Sequence, residues 1–284
     1  MGDIMLVNTK KMLLDAKKNK YAIAHFNINN LEWTRFILEE TNKLSVPVIL
    51  GVSEGALNYM GGANVVVSIV TGLIDELNIS NPVALHMDHA SSFETCKKAI
   101  DAGFTSVMID GSKLTIDENI QETKKVVEYA HQRNVSVEAE LGLIGGEEDD
   151  FANKSAFTNL KDCQYFLSKV DIDSLAPALG SAHGIYKEEV NLDFATMKEI
   201  STNVDIPLVL HGGSGIEAEK IIEAINCGIC KINVNTELQI AWSNAVRIYL
   251  NENEKIYDPR KIIKSGEQAI KEVIDKKIKL FNNK

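Results

Sequence analysis

Cysteine is scarce: four in 284 residues, too few at this length for a disulfide framework. Long apolar runs are missing too. None reaches the roughly 18 residues that a membrane span needs. The start, MGDIMLVNTKKMLLDAKKNK, has no charged stretch leading into an apolar one, so no secretory signal is read there. Its Met1-Gly2-Asp3 opening invites N-myristoylation only on its face, because Leu6 stands where that motif wants Ser or Thr. Positive charge is in deficit. There are 40 Asp and Glu against 30 Lys and Arg, a net charge of −10 with His neutral. That balance argues against a general nucleic-acid or anionic-membrane surface. A Pro- or Ser-rich linker, a low-complexity tract and an internal repeat are also lacking. The expectation is a single domain over residues 1–284, in the cytoplasm.

What is present is a 45% apolar chain, enough for a large core, which excludes disorder as a description of the whole. Short β-branched or apolar runs recur at 21–28, 47–53, 83–89, 106–111, 136–142, 174–180, 207–212 and 231–236. Amphipathic stretches separate them, among them 31–44, 63–77, 93–102, 117–132 and 216–225. Two more helices, about 237–252 and 262–281, close the chain. Strands alternating with helices imply βαβ units and a parallel sheet. Eight such units predict a closed (β/α)8 barrel with additional C-terminal helices. A doubly wound sheet is the other candidate. Against it, the first strand leads into Asn29-Asn30-Leu31-Glu32 rather than a G-x-G-x-x-G turn.

Polar residues gather at the C-terminal ends of these strands: Asn27, Ser53, Asp88 and His89, Asp110, Glu140, His211, Asn233 and Asn235. In a barrel those ends open on one face, where active sites are built. Ordinary strand termination accounts for Asn and Ser. It accounts poorly for His and carboxylates at successive ends, which repel and lose water when brought together. His89, His183 and His211 follow the third, sixth and seventh strands. One such histidine alone reads as a hydrogen-bonded core or loop residue. Three at matching ends can form a zinc site with open positions. His131 lies on the polar side of a helix and reads as solvated. His86 is in mid-strand, where alternation sends it to the outer layer, and His25 is left unassigned.

Proton transfer needs carboxylates, and Asp88, Asp110, Glu140, Glu147 and Glu148 are the candidates. Strict alternation points Asp88 and His89 to opposite faces, so both reach one site only if the strand bends or ends there. The stretch Gly145-Gly146-Glu147-Glu148-Asp149-Asp150 reads either as a solvated acidic loop or as a mobile catalytic loop. His211-Gly212-Gly213-Ser214-Gly215 and Asn233-Val234-Asn235-Thr236 follow strands seven and eight and each opens a helix. Loops at those places are where barrels bind phosphate. The Cys227-x-x-Cys230 pair leads straight into a strand, so it reads as buried small hydrophobes rather than a redox motif.

The segments His86-Met87-Asp88-His89, 103–110, Val137-Glu138-Ala139-Glu140-Leu141-Gly142 with 145–150, 211–215 and Lys231-Ile232-Asn233-Val234-Asn235-Thr236 together resemble the class II, zinc-dependent fructose-bisphosphate aldolases. The resemblance runs from near residue 5 to near residue 275, and the short length resembles the branch that includes tagatose-bisphosphate aldolases. It implies reversible aldol cleavage of fructose 1,6-bisphosphate to glycerone phosphate and glyceraldehyde 3-phosphate, a step of glycolysis and gluconeogenesis. His89, His183 and His211 match the zinc ligands, and Asp88 the acid/base at the C4 oxygen. Glu148 matches the residue for proton exchange at C3, and Asp110 and Glu140 an alternative metal position. Gly184, Gly212, Gly213, Ser214, Asn233, Val234, Asn235 and Thr236 match the glycerone-phosphate segments, with a monovalent cation, Na+ or K+, nearby. Asn27 and Ser53 match strand-end residues close to substrate.

Arg260, in Tyr257-Asp258-Pro259-Arg260, reads on its own as a surface arginine beside a turn. The resemblance instead places it at the C6 phosphate, contributed by a neighbouring subunit of a homodimer or dimer-based tetramer. Three other readings compete. Tagatose 1,6-bisphosphate differs from the fructose substrate only at C4, and the segments 51–56, 59–62 and 258–261 resemble the fructose-specific members. A class I aldolase needs a Schiff-base lysine at a strand's far end, whereas Lys231 begins its strand and Lys113 lies in a loop. A non-catalytic phosphosugar-binding barrel would not need the full set of histidines and acids.

Overall fold

The computed structural model describes residues 6–146, 157–186 and 189–282. Its strands are β1 (Ile23–Asn27), β2 (Val48–Ser53), β3 (Val83–Ala90), β4 (Ser106–Ile109), β5 (Ser136–Leu141), β6 (Gly145–Gly146), β7 (Ser174–Pro177), β8 (Ala182–His183), β9 (Leu208–Leu210) and β10 (Ile229–Val234). Eight of them close into an all-parallel barrel, β1-β10-β9-β7-β5-β4-β3-β2, and β6 and β8 pair as a separate two-stranded sheet.

The helices are α1 (Lys10–Asn19), α2 (Leu31–Lys43), α3 (Glu54–Tyr59), α4 (Ala63–Glu76), α5 (Phe93–Ala102), α6 (Ile116–His131), α7 (Leu160–Leu167), α8 (Phe194–Asn203), α9 (Ala218–Asn226), α10 (Thr236–Glu252), α11 (Pro259–Lys264) and α12 (Glu267–Phe281). Local chemistry sets several starts. Asn30, Ser53, Ser92, Thr115 and Asn159 each accept a backbone N–H of the first turn, and Thr115 forms a full capping box with Glu118.

The eight barrel strands fall where the hydrophobic runs predict them, with edges moved. The sixth stops at Pro177, and the eighth begins at Ile229 and ends at Val234. The closing helix expected over 262–281 is two helices. Gly266 lies between them, and it packs so closely on Trp242 that a Cβ there would stand 2.2 Å from Trp242 Cδ1. Helices α1, α3, α7 and α8 and the β6–β8 pair were not among the expected elements.

Two cores follow from strand alternation. Outward-facing strand residues such as Phe26, Leu50, Val52, Leu85, Met87 and Val107 pack with the helices in one continuous layer. Inside, the N-terminal end of the barrel is plugged by α1, whose Met12, Leu13 and Ala16 meet Ile23, Ile49, Ala84 and Cys230. Above that plug the interior turns polar. Thr9 and Ser136 share a hydroxyl contact at 2.8 Å, and His25, His86, Glu138 and Lys231 are all buried. This layer replaces the branched aliphatic filling usual in such barrels and forms the floor of the mouth.

His86 therefore corrects the expectation that it faces outward. It is wholly buried, its Nδ1 lies 2.7 Å from Ser106 Oγ, and its ring meets that of His25 edge-on at 5.4 Å. It shares a face with Asp88, two residues on, and counting back from His89 gives the wrong parity. Gly51 makes the room: a Cβ there would be 1.7 Å from His25 Nε2. His131 is corrected as well. It is half-buried, and its Nε2 lies 2.9 Å from Asp173. All four cysteines are free thiols; burial pushes Cys230 up to about 11, far from the activated state a redox motif needs.

Candidate active site

The mouth at the C-terminal ends of the strands is organised by an irregularity in β3. Register slips between Met87 and Ala90, and His89 takes φ +50°. A left-handed non-glycine residue costs about 1–2 kcal/mol. The bend resolves the alternation problem, because Asp88 and His89 now both face the mouth. His89 meets His183, from β8, at 4.9 Å between ring centroids and His211, just after β9, at 4.7 Å; His183 and His211 are 5.7 Å apart. Ligand atoms of the three lie within 4.8 Å of one another.

Tyr186 ties these loops together, a residue the sequence reading did not single out. Its hydroxyl accepts the Ala182 N–H at 2.8 Å and donates to the Gly212 carbonyl at 2.9 Å. Its place three residues after His183 was the only available signal.

Carboxylates surround the rings. Asp110 Oδ2 is 2.9 Å from His89 Nδ1, and its Oδ1 accepts from the Ser112 backbone and hydroxyl. Glu140 Oε2 lies 3.2 Å from His211 Nδ1 and 3.9 Å from His89 Nδ1. His89, Asp110 and Glu140 form a second ligand group of compatible size. Asp88 is held at Oδ2 by the Asn27 amide at 2.8 Å, with His25 Nε2 3.6 Å away. Its Oδ1 is buried without a hydrogen-bond partner.

The electrostatics pull the groups apart. Burial, reinforced by the neighbouring rings, drives His183 down to about 3, so that ring is neutral. Burial also opposes charge on His89, but Asp88, the bond to Asp110 and Glu140 outweigh it and raise the ring to about 10. Burial would raise Asp88, yet His25, His89 and Lys231 hold it well below the usual carboxylate range. Glu140 is raised by burial and by Asp110. The site is thus a negative field around three imidazoles. His211 Nδ1 and Glu140 Oε2, close together and buried, each lack a hydrogen-bond partner. Two such atoms are expensive unless something positive satisfies both. Imidazoles with nearby carboxylates are also the donor set that zinc takes. The residues fit a divalent cation.

The candidate phosphate turns lie beside this cluster. Gly212 has φ +63°, and a Cβ would stand 2.2 Å from the Ala182 carbonyl oxygen, so only glycine lets β8 approach. Gly184 has φ +94° directly after His183. The Gly213 N–H is already given to the Asn233 carbonyl at 2.9 Å. Ser214 Oγ accepts the Asn235 and Glu237 N–H groups at 3.2 and 3.3 Å, binding its turn to the start of α10, where Thr236 is the first residue. Oδ1 of Asn233 and of Asn235 are buried and without a hydrogen-bond partner.

The remaining expected residues are less central. Ser53 is engaged as the cap of α3, accepting the Ala56 N–H at 3.2 Å. Val234 packs its side chain into the outer core. Arg260 is 89% exposed and forks onto Asp258 at 3.0 and 2.9 Å. Glu147 and Glu148 lie outside the described residues.

The family model described as fructose-bisphosphate aldolase class-II matches residues 7–284. A fructose-bisphosphate aldolase of Staphylococcus aureus (strain Mu50 / ATCC 700699) is 56% identical over 277 residues, 97% of each chain. One from Geobacillus stearothermophilus is 54% identical, covering 98% of this chain and 97% of its own. Among solved structures, the YdjI aldolase from Escherichia coli K12 superposes with TM-score 0.83 at 32% identity, over 98% of this chain and 97% of its own. A fructose-bisphosphate aldolase from Campylobacter jejuni gives 0.80 at 25% identity, over 98% and 96%.

Proposed function

This chain belongs to the class-II fructose-bisphosphate aldolase family, and on that premise we propose that it is a lyase cleaving fructose 1,6-bisphosphate reversibly into glycerone phosphate and glyceraldehyde 3-phosphate. Zinc is the proposed cofactor, with His89, His183 and His211 as its ligands and Asp110 and Glu140 offering an alternative position around His89. One observation carries the reading: three imidazoles from separate strand ends converge in a negative field, where His211 Nδ1 and Glu140 Oε2 are buried without hydrogen-bond partners. When bound, the cation supplies a Lewis acid for the C2 carbonyl.

The chain's own residues supply the rest. Asp88 takes the proton of the C4 hydroxyl as the C3–C4 bond breaks and returns it in the condensation direction. Asn27 occupies Oδ2, which leaves Oδ1 as the accepting atom. Glu148 is the proposed group for the C3 proton of glycerone phosphate. The turns at Gly184, Gly212–Ser214 and Asn233–Thr236 take the C1 phosphate. The free oxygens of Asn233 and Asn235 suit substrate hydroxyls or a monovalent cation there. Arg260, with a forked, permanently charged head, is proposed for the C6 phosphate of a partner subunit in a homodimer.

The test is cleavage by purified, zinc-loaded protein, with released glycerone phosphate measured for both epimeric bisphosphates. The expected result is a higher kcat/KM on the fructose substrate. Preference for tagatose 1,6-bisphosphate would move the chain to the other branch, and no cleavage of either would leave a phosphosugar-binding barrel.

A further inference from the structure

Beneath the three imidazoles lies a buried ion pair that the scheme above does not use. Lys231 Nζ donates to both carboxylate oxygens of Glu138, at 2.9 and 2.8 Å. The side chains are 1% and 2% exposed. Ser174 Oγ donates to Glu138 Oε2 at 3.2 Å. The remaining partner is His211, whose Nε2 lies 3.0 Å from Glu138 Oε1. A carboxylate has no proton to give, so Nε2 must carry one. In a neutral imidazole that puts the lone pair on Nδ1. His211 Nδ1 is the atom left without a hydrogen-bond partner, 3.2 Å from Glu140 on the mouth side.

We infer that Glu138, anchored by Lys231, is the positioning residue that fixes the tautomer and orientation of His211 and so presents Nδ1 to the metal. The inference rests on the zinc reading above. Lys231 supplies the positive charge that an ionised carboxylate needs at this depth and pins both oxygens, so Glu138 cannot rotate away from the ring. Ser174 fills a further acceptor position on the carboxylate. An outer partner of this kind typically contributes 10- to 100-fold in metal affinity.

Two paired variants separate this role from packing. In Glu138→Gln/Lys231→Met the amide oxygen remains free to accept from Nε2–H, and its NH2 can reach Ser174. In Glu138→Leu/Lys231→Met no acceptor remains, although an apolar replacement of a buried ion pair is often neutral or stabilising for the fold. Zinc affinity is read by chelator competition with Zn2+ alone, alongside thermal unfolding. The expected result is that the Leu pair binds zinc about 10–100-fold more weakly than the Gln pair, whatever the order of their melting temperatures. Equal zinc affinity in the two folded variants overturns the inference.

Should either variant fail to fold, 15N-histidine spectra of the zinc-loaded wild type decide instead. A protonated Nε2 on His211 supports the assignment, and a protonated Nδ1 overturns it. His183→Ala serves as the control. If wild type and this variant hold zinc alike, the zinc reading itself has failed. If only the Gln and Leu pairs agree, the positioning role alone has failed.

Discussion

At the N-terminal end of the barrel, α1 lays Met12, Leu13 and Ala16 against Ile23, Ile49 and Ala84, and the strands are sealed by apolar contact. At the C-terminal end, β3, β5 and the turn after β9 bring Asp88, His89, Glu140 and His211 together, with several polar atoms unsatisfied. The first arrangement contributes stability through burial. The second opposes folding, since clustered buried carboxylates and imidazoles lose hydration and His89 sits in a left-handed backbone conformation. A cavity of about 910 Å³, lined in part by Lys11, Tyr21, Phe104 and Arg133, also opens at the N-terminal end. One end therefore holds the fold so that the other can hold a destabilising constellation.

Substitutions at the two ends should differ in kind. The largest effect is expected at the imidazoles: His183→Ala or His211→Ala should lose bound zinc and take cleavage to background, checked by metal analysis and a coupled assay. His131→Ala, whose ring pairs with Asp173 away from the cluster, should keep both. Asp88→Asn should retain zinc but lower kcat by about 10²–10⁴-fold, the scale of a positioned acid/base. A near-normal rate would assign the proton to another group.

Leu13→Ala, in the fully buried plug, should cost about 2–5 kcal/mol in chemical denaturation while leaving kcat/KM per folded molecule unchanged. A catalytic defect there without loss of stability would break the division between the ends. Arg260→Ala should have the smallest effect, about 1.5–3 kcal/mol in kcat/KM for the bisphosphate, with glycerone phosphate affinity unchanged. Equal weakening of both would remove Arg260 from the C6 phosphate.

Much of this was legible in the chain, and the gaps have physical causes. The eight barrel strands and the polar bias of their C-terminal ends follow from short-range patterns, which a barrel repeats eight times. The bend at Asp88–His89 was identifiable as a conflict, since alternation cannot place both in one site. Its form, a left-handed His89 with slipped register, is tertiary, and it misled the parity count for His86. Glu138 and Glu140, two apart on β5, share a face by alternation, yet only Glu140 was singled out. The reason is that Glu138's partners Lys231 and His211 lie 93 and 73 residues away. Helix α1 passed unnoticed because its apolar residues show their purpose only against the barrel floor.

The central claim is that the mouth works as a metal site. Its most direct test follows zinc content and fructose 1,6-bisphosphate cleavage in one preparation, before chelation, after it, and after zinc is returned. The account predicts that both vanish together and return together, with the protein folded throughout because the apolar plug is untouched. Full cleavage by metal-free protein would contradict it.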